Sequence, residues 1–209
     1  LSGIAIVIYM KIDQIMLGQM VGDEAVGIYS AAVRISEVWY FIPTMIVASL
    51  FPAILNAKKQ SQWLYEQRLQ SLFRFLILIG LLVAIGTVFF SKPLIQNTFG
   101  NNYLASSSVL VIHVWTGVFV SIGLVSGKWF LTESMQAFVL SITLLAAFLN
   151  TVLNYVFIPL WHENGAAMAT LTAYGVSNIL WPGLFRNTRP LLKIIFNSFY
   201  FGGLCVRSQ

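Results

Sequence analysis

Four ionisable residues, Lys11, Asp13, Arg34 and Glu37, stand in stretches that are otherwise apolar. A charge at mid-bilayer costs at least about 2.5 kcal/mol on insertion scales unless it is paired or hydrated. Opposite charges in such surroundings therefore suit either an ion-pair lock between helices or a wet passage for a charged solute or coupling ion. The four residues flank the tight turn Val21-Gly22-Asp23-Glu24. Counting away from that turn at about 1.5 Å per helical residue puts Asp13 and Arg34 at nearly the same depth, with Lys11 and Glu37 slightly deeper. Arg34 and Glu37 are three apart and share a helix face. Buried ion pairs often fail to offset their desolvation, so a water-filled cavity accounts for four charges at one level better than a dry lock does. His113, Asn150 and Asn154 are further cavity-lining candidates. The two asparagines are four apart on one face, a spacing that interhelical hydrogen bonding explains as well.

The elements that position these residues follow from composition. Of 209 residues 58% are hydrophobic and 9% charged, with a mean hydropathy of +0.81, whereas an average soluble domain carries about 25% charged residues. That excludes a water-soluble fold, a disordered chain, a disulfide scaffold and a basic nucleic-acid module, and leaves an all-α polytopic membrane protein. Apolar runs of roughly 20 residues occur at about 1–20, 27–52, 75–96, 106–128, 135–158 and 165–185, giving a six-span transmembrane lobe over 1–185. Residues 186–209 form a tail that is either interfacial or the start of a further span. The first run holds about ten apolar residues between Leu1 and Lys11 and has no initiating methionine, so the chain is expected to begin partway along a longer polypeptide.

Lys58, Lys59, Arg68 and Arg74 follow the second span, Lys128 the fourth, and Arg186, Arg189, Lys193 and Arg207 the sixth. The other side carries Asp23, Glu24, His162 and Glu163, with Lys92 its one cation. The positive-inside rule then puts the loops after even-numbered spans, and the C-terminal tail, in the cytoplasm. The segment from Lys58 to Arg74 has apolar residues at helical spacing and reads as an interfacial helix or a solvated connector. Small residues at Gly165, Ala169, Ala173 and Ser177, and the Gly123/Gly127 pair, mark close helix contacts. Pro43, six residues beyond Glu37, is a place for the second span to bend.

No P-loop, GxGxxG, CxxC or HExxH motif is present, so no catalytic residues, no metal site and no cofactor are expected. With no nucleotide-binding element, transport would draw on an ion gradient, on substrate supply or on a separate subunit.

Three motifs in order carry a resemblance: Tyr9-Met-Lys-Ile-Asp-Gln-Ile-Met-Leu-Gly18, Val26-Gly-Ile-Tyr-Ser-Ala-Ala-Val-Arg-Ile35, and Ile42-Pro43 followed by Ser49-Leu-Phe-Pro52. They resemble the seventh and eighth helices of Wzx-type polysaccharide-biosynthesis flippases, the O-antigen repeat-unit transporters of the MATE-like exporter superfamily. The resemblance implies the second lobe of a two-lobe transporter in the bacterial inner membrane. It implies a substrate in which an oligosaccharide is joined through pyrophosphate to undecaprenol and is turned from the cytoplasmic to the periplasmic leaflet for O-antigen, capsule or exopolysaccharide synthesis. It further implies that Lys11 and Arg34 contact the pyrophosphate while Asp13 and Glu37 hold those cations or accept a coupling proton. The partners would be the lipid-linked substrate, the membrane, the missing N-terminal lobe and a polysaccharide polymerase, with no nucleic acid. The alternatives are a MATE-type ion-coupled antiporter lobe, which the two cations argue against for a cationic substrate, and a non-transporting scaffold or truncated remnant.

Overall fold

The computed structural model describes residues 11–199; the first half of the first expected span and the end of the tail lie outside the described residues. Among the described residues there is no strand. The elements are α1 (Ile12–Met20), α2 (Asp23–Val38), α3 (Phe41–Gln60), α4 (Gln62–Phe99), α5 (Ser106–His113), α6 (Thr116–Thr132), α7 (Gln136–Gly175), a π-turn at Val176–Leu180, α8 (Trp181–Leu184) and α9 (Arg189–Phe199). By length and composition four helical stretches can cross a membrane: Asp23–Gln60, Gln62–Phe99, Ser106–Thr132 and Gln136–Leu184. Large apolar side chains such as Phe89, Leu82, Phe148 and Tyr155 point outward on these stretches. An apolar exterior of that extent fits a chain whose solvent is lipid.

Four such stretches stand where six spans were expected, and part of the difference lies in α7. Asn150 Nδ2 donates to Thr170 Oγ1 across 3.1 Å, yet twenty residues of straight helix would hold the two about 30 Å apart. The chain therefore reverses within α7. The reversal is at His162, whose φ of 49° and ψ of −128° lie outside the helical region, and it divides α7 into antiparallel arms, 136–161 and 163–175. Gly165 permits it, because a Cβ there would fall 2.2 Å from the Phe157 carbonyl oxygen.

The Lys58–Arg74 segment is not a separate connector helix. Its residues 62–74 are the opening turns of α4, and their apolar stripe, Tyr65, Leu69, Leu72 and Phe73, is buried in the core. Ser61 starts the helix by accepting the Leu64 N–H on its Oγ at 3.0 Å, the usual service of an N-cap serine. The break in the second span falls at Trp39–Tyr40, a few residues before Pro43. Pro43 has no N–H to give the Trp39 carbonyl, which instead accepts from Ile42 at 2.9 Å. Trp39 folds inward there, against Gly117, where a Cβ would meet its ring at 2.2 Å. In the tail, the described residues of α9 bury Leu191, Ile194 and Ile195, and Arg74 Nε donates to the Ser198 carbonyl at 2.9 Å.

Two cores result. A bulky one joins α3, α4, α6 and α9 through residues such as Phe51, Phe73, Phe130 and Ile195. A second one, rich in small residues, joins α1, α2, α5 and α7 through Leu17, Ala25, Ala32, Leu110, Ala166 and Ala167. The polar site borders this second core, where small side chains let helix backbones approach and interhelical hydrogen bonds form.

Candidate functional site

The turn Val21–Gly22, with Gly22 at a φ of 124°, folds α1 back on α2. This brings Tyr29 beside Asp13, and the phenol donates to Asp13 Oδ2 at 2.6 Å. The second arm of α7 supplies Thr170, whose Oγ1 lies 3.2 Å from the same carboxylate oxygen and 3.1 Å from the Ala166 carbonyl. Its single proton serves one of these acceptors at a time. Behind Thr170, Asn154 Nδ2 donates to Asn150 Oδ1 at 3.1 Å, and Asn150 Nδ2 donates to Thr170 Oγ1. Donation thus runs Asn154 to Asn150 to Thr170 to Asp13, and a chain polarised in one sense strengthens each of its bonds. At its far end Asn154 Oδ1 is buried with no hydrogen-bond partner.

Asp13 stands in the wall of a cavity of about 80 Å³ with Lys11, Gln14, Glu37, His113 and Asn150. Tyr29, Tyr40, Thr116, Thr170 and Tyr174 complete its polar lining. A site for one water needs roughly 10–15 Å³ by this measure, so the cavity has room for several. Thr116 is 1% exposed and its Oγ1 has no protein partner, an unpaired polar atom on that wall of the kind that ordered water satisfies. Glu37, Tyr40 and Tyr174 also line a larger trough of about 510 Å³. The trough follows one face of the first arm of α7 from Ala146 through Ile142 to Val139, with Gly123 and Gly127 of α6 opposite. At Gly123 a Cβ would fall 2.6 Å from Asn178 Oδ1, whereas nothing lies within 4 Å of one at Gly127. Of the pair expected to mark helix contact, Gly123 packs and Gly127 faces open space.

The structure therefore brings Lys11, Asp13, Glu37, His113 and Asn150 around one cavity, with Asn154 one hydrogen bond behind it. Arg34 is the exception. It is exposed on α2 and does not pair with Asp13, whose partners are Tyr29 and Thr170. The expected Asp13–Arg34 match rested on depth alone. Five residues separate Arg34 from Tyr29, which turns it about 140° around the helix from the side chain that holds Asp13. His113 is 2% exposed, bonded through Nδ1 to Ser36 Oγ at 2.8 Å and edge-on to Tyr29, so it braces that tyrosine. Tyr29, Thr116, Thr170 and Tyr174 were not singled out from sequence. Tyr29 had a signal, since it is the tyrosine of the Val26–Ile35 motif, and Thr170 follows the small residue Ala169.

Chemically, two carboxylates, an amide chain and several hydroxyls line a space with room for several waters beside one lysine. Such a set can take up a proton or a small cation and can hydrogen-bond a polar solute. Among the described residues no group of three or more His, Cys, Asp or Glu side chains is placed to hold a metal.

The family described as polysaccharide biosynthesis protein matches residues 1–108 of this sequence. Over 183 residues the chain is 32% identical to the probable flippase AglR of Haloferax volcanii, covering 82% of this chain and 37% of that protein. Over 176 residues it is 22% identical to the probable low-salt glycan biosynthesis flippase Agl15 of the same organism, with the same two coverages. The chain thus spans a little over a third of the length of these curated relatives. No solved structure gives a significant match. With the match covering more than half of its length, the chain belongs to this family of polysaccharide biosynthesis proteins.

Proposed function

We propose that this chain is a six-span lobe of a flippase for lipid-linked oligosaccharides, multi-pass in the bacterial inner membrane with its C-terminus cytoplasmic. The substrate is an undecaprenyl-pyrophosphate-linked repeat unit, turned from the cytoplasmic to the periplasmic leaflet for O-antigen, capsule or exopolysaccharide synthesis. The observation that carries this reading is the Asp13 cluster, a hydrogen-bonded polar site inside the helix bundle beside a cavity with room for several waters, which shares Glu37, Tyr40 and Tyr174 with the larger trough. Ionisable groups that face a bundle cavity mark transport pathways. The cavity is too small for a glycosylated pyrophosphate, so the head group travels along the trough and the Asp13 site takes up the coupling proton or cation. Lys11 stands in the cavity wall with the Asp13 and Glu37 carboxylates and balances their charge, and Glu37 stands where cavity and trough meet. Motifs of the α1–α2 hairpin that resemble Wzx-type flippases, and relatives whose names are those of flippases, support the same reading.

The test is Asp13→Asn in the full-length protein, scored by surface polysaccharide display and by the amount of protein in the membrane. Loss of display at unchanged accumulation is expected. Wild-type display by the variant would overturn the assignment of Asp13.

A further inference from the structure

The structure holds a second hollow, of about 230 Å³, between α3 and α4. It shares no residue with the cavity or the trough. Its walls are Leu50 and Ile54 from α3 and Leu72 and Phe75 from α4, with Arg68 and Ser71 the polar members of the lining. Leu50 and Phe75 are about half exposed, so the cleft opens sideways through the apolar belt toward lipid.

The one charged residue of the lining lies at one end of the cleft. The two helices meet at the Ser61 elbow, and Ala53 and Arg68, eight and seven residues from it, lie about 11 Å along their helices. Leu50 and Phe75, eleven and fourteen residues from it, lie about 16 to 21 Å along. Arg68 Nη1 donates to the Ala53 carbonyl at 3.1 Å, which lays the guanidinium across the elbow end of the cleft. A guanidinium has five N–H donors, and the exposure of Arg68 turns the remainder outward. Glu66, the acidic residue nearest in sequence, accepts from Gln62 Nε2 at 2.8 Å and lies on a different helix face two residues away. Lys58 and Lys59 end α3 beside the elbow, and Trp63 is 60% exposed just beyond it. Cations and an exposed tryptophan at one end of an apolar stretch are the marks of the head-group level of a bilayer.

We propose that this cleft binds an anionic phospholipid, one acyl chain lying along Leu50, Ile54, Leu72 and Phe75 and the phosphodiester accepting hydrogen bonds from Arg68. The lining sets its one charge at the elbow end, with Leu50, Leu72 and Phe75 farther along, as the lipid sets its phosphate before its hydrocarbon. Planar, charge-assisted donation suits Arg to a phosphate oxygen pair, and the positive charge of Arg68, the one charged residue of the lining, favours an anionic head group over a zwitterionic one. The site is independent of what passes through the polar cavity.

The test reconstitutes the full-length protein in vesicles of equimolar phosphatidylglycerol and phosphatidylcholine, extracts it in mild detergent and identifies retained lipid by native mass spectrometry. Retention of phosphatidylglycerol over phosphatidylcholine by about ten-fold is expected, the ratio that one charge-assisted contact supplies. Arg68→Gln should bring the two lipids to parity without lowering total bound lipid, and Ala53→Trp, which fills the cleft from an exposed position, should remove both, with helix content by circular dichroism unchanged. Equal retention of both lipids by the unsubstituted chain, or an unchanged preference in Arg68→Gln, would overturn the proposal.

Discussion

The Asp13 cavity and the α3–α4 cleft both set one charged side chain against apolar walls, but they hold it differently. Asp13 takes hydrogen bonds from side chains on α2 and on the second arm of α7, and the first arm adds the asparagine pair behind them. Arg68 has a single carbonyl partner on the helix next to its own and keeps the rest of its donors outside. The first charge is fixed by convergence of elements distant in sequence, the second by one local elbow. Damage to distant backbone geometry should therefore disable the cavity and leave the cleft intact.

Gly165→Val gives the sharpest form of that contrast. The added Cβ meets the Phe157 carbonyl oxygen at 2.2 Å, so the hairpin opens, Asn150 parts from Thr170, and stability falls by about 3 kcal/mol, the upper end for overpacking. Reversible unfolding in detergent mixtures measures it, and the elbow at Ser61 should keep its protease resistance. Thr170→Val is next. It keeps the shape but removes the hydroxyl between Asn150 and Asp13, at about 0.6 kcal/mol for each interhelical bond in a membrane protein and so about 1 kcal/mol for the two, with Thr170→Ser restoring most of the loss. Lys58→Met is smaller. It breaks the ion pair from Lys58 Nζ to Glu133 Oε1, whose side chains are about a third exposed, and the same titration should register a change of about 0.2–1 kcal/mol. Arg34→Gln should leave unfolding unchanged, because Arg34 is exposed and has no bond to the cavity; a loss as large as that of Thr170→Val would restore the ion-pair lock expected from sequence.

Arg34 shows where sequence reading stops. Distance from a turn gives depth, and the counts that set Lys11, Asp13 and Glu37 at one level did single out residues of one cavity. Depth does not give rotation about the helix axis, which is decided by which face the small residues Ala25 and Ala32 bury, and that face turns Arg34 away. The reversal in α7 was legible as the polar break from Trp161 to Gly165, and helical geometry resumes on either side of His162 as two antiparallel arms where two runs were read. The fusion of 62–74 with α4 was not legible, since charges interleave its apolar stripe and only the packing of α6 and α9 against it decides the matter. Tyr29 and Thr170 lacked any charge to draw notice, yet they are the residues that hold the carboxylate.

The central claim is that the cavity and trough form a wet space within the membrane. Cys205 is the one cysteine of this sequence, so Cys205→Ser, with any cysteine elsewhere in the full-length protein also replaced, gives a background for single-cysteine labelling with a membrane-impermeant thiol reagent in intact vesicles. Tyr174→Cys, at the join of cavity and trough, should react at a rate close to that of a loop cysteine, while Phe148→Cys, 65% exposed on the apolar exterior, should stay unmodified. Protection of Tyr174→Cys equal to that of Phe148→Cys would contradict the account.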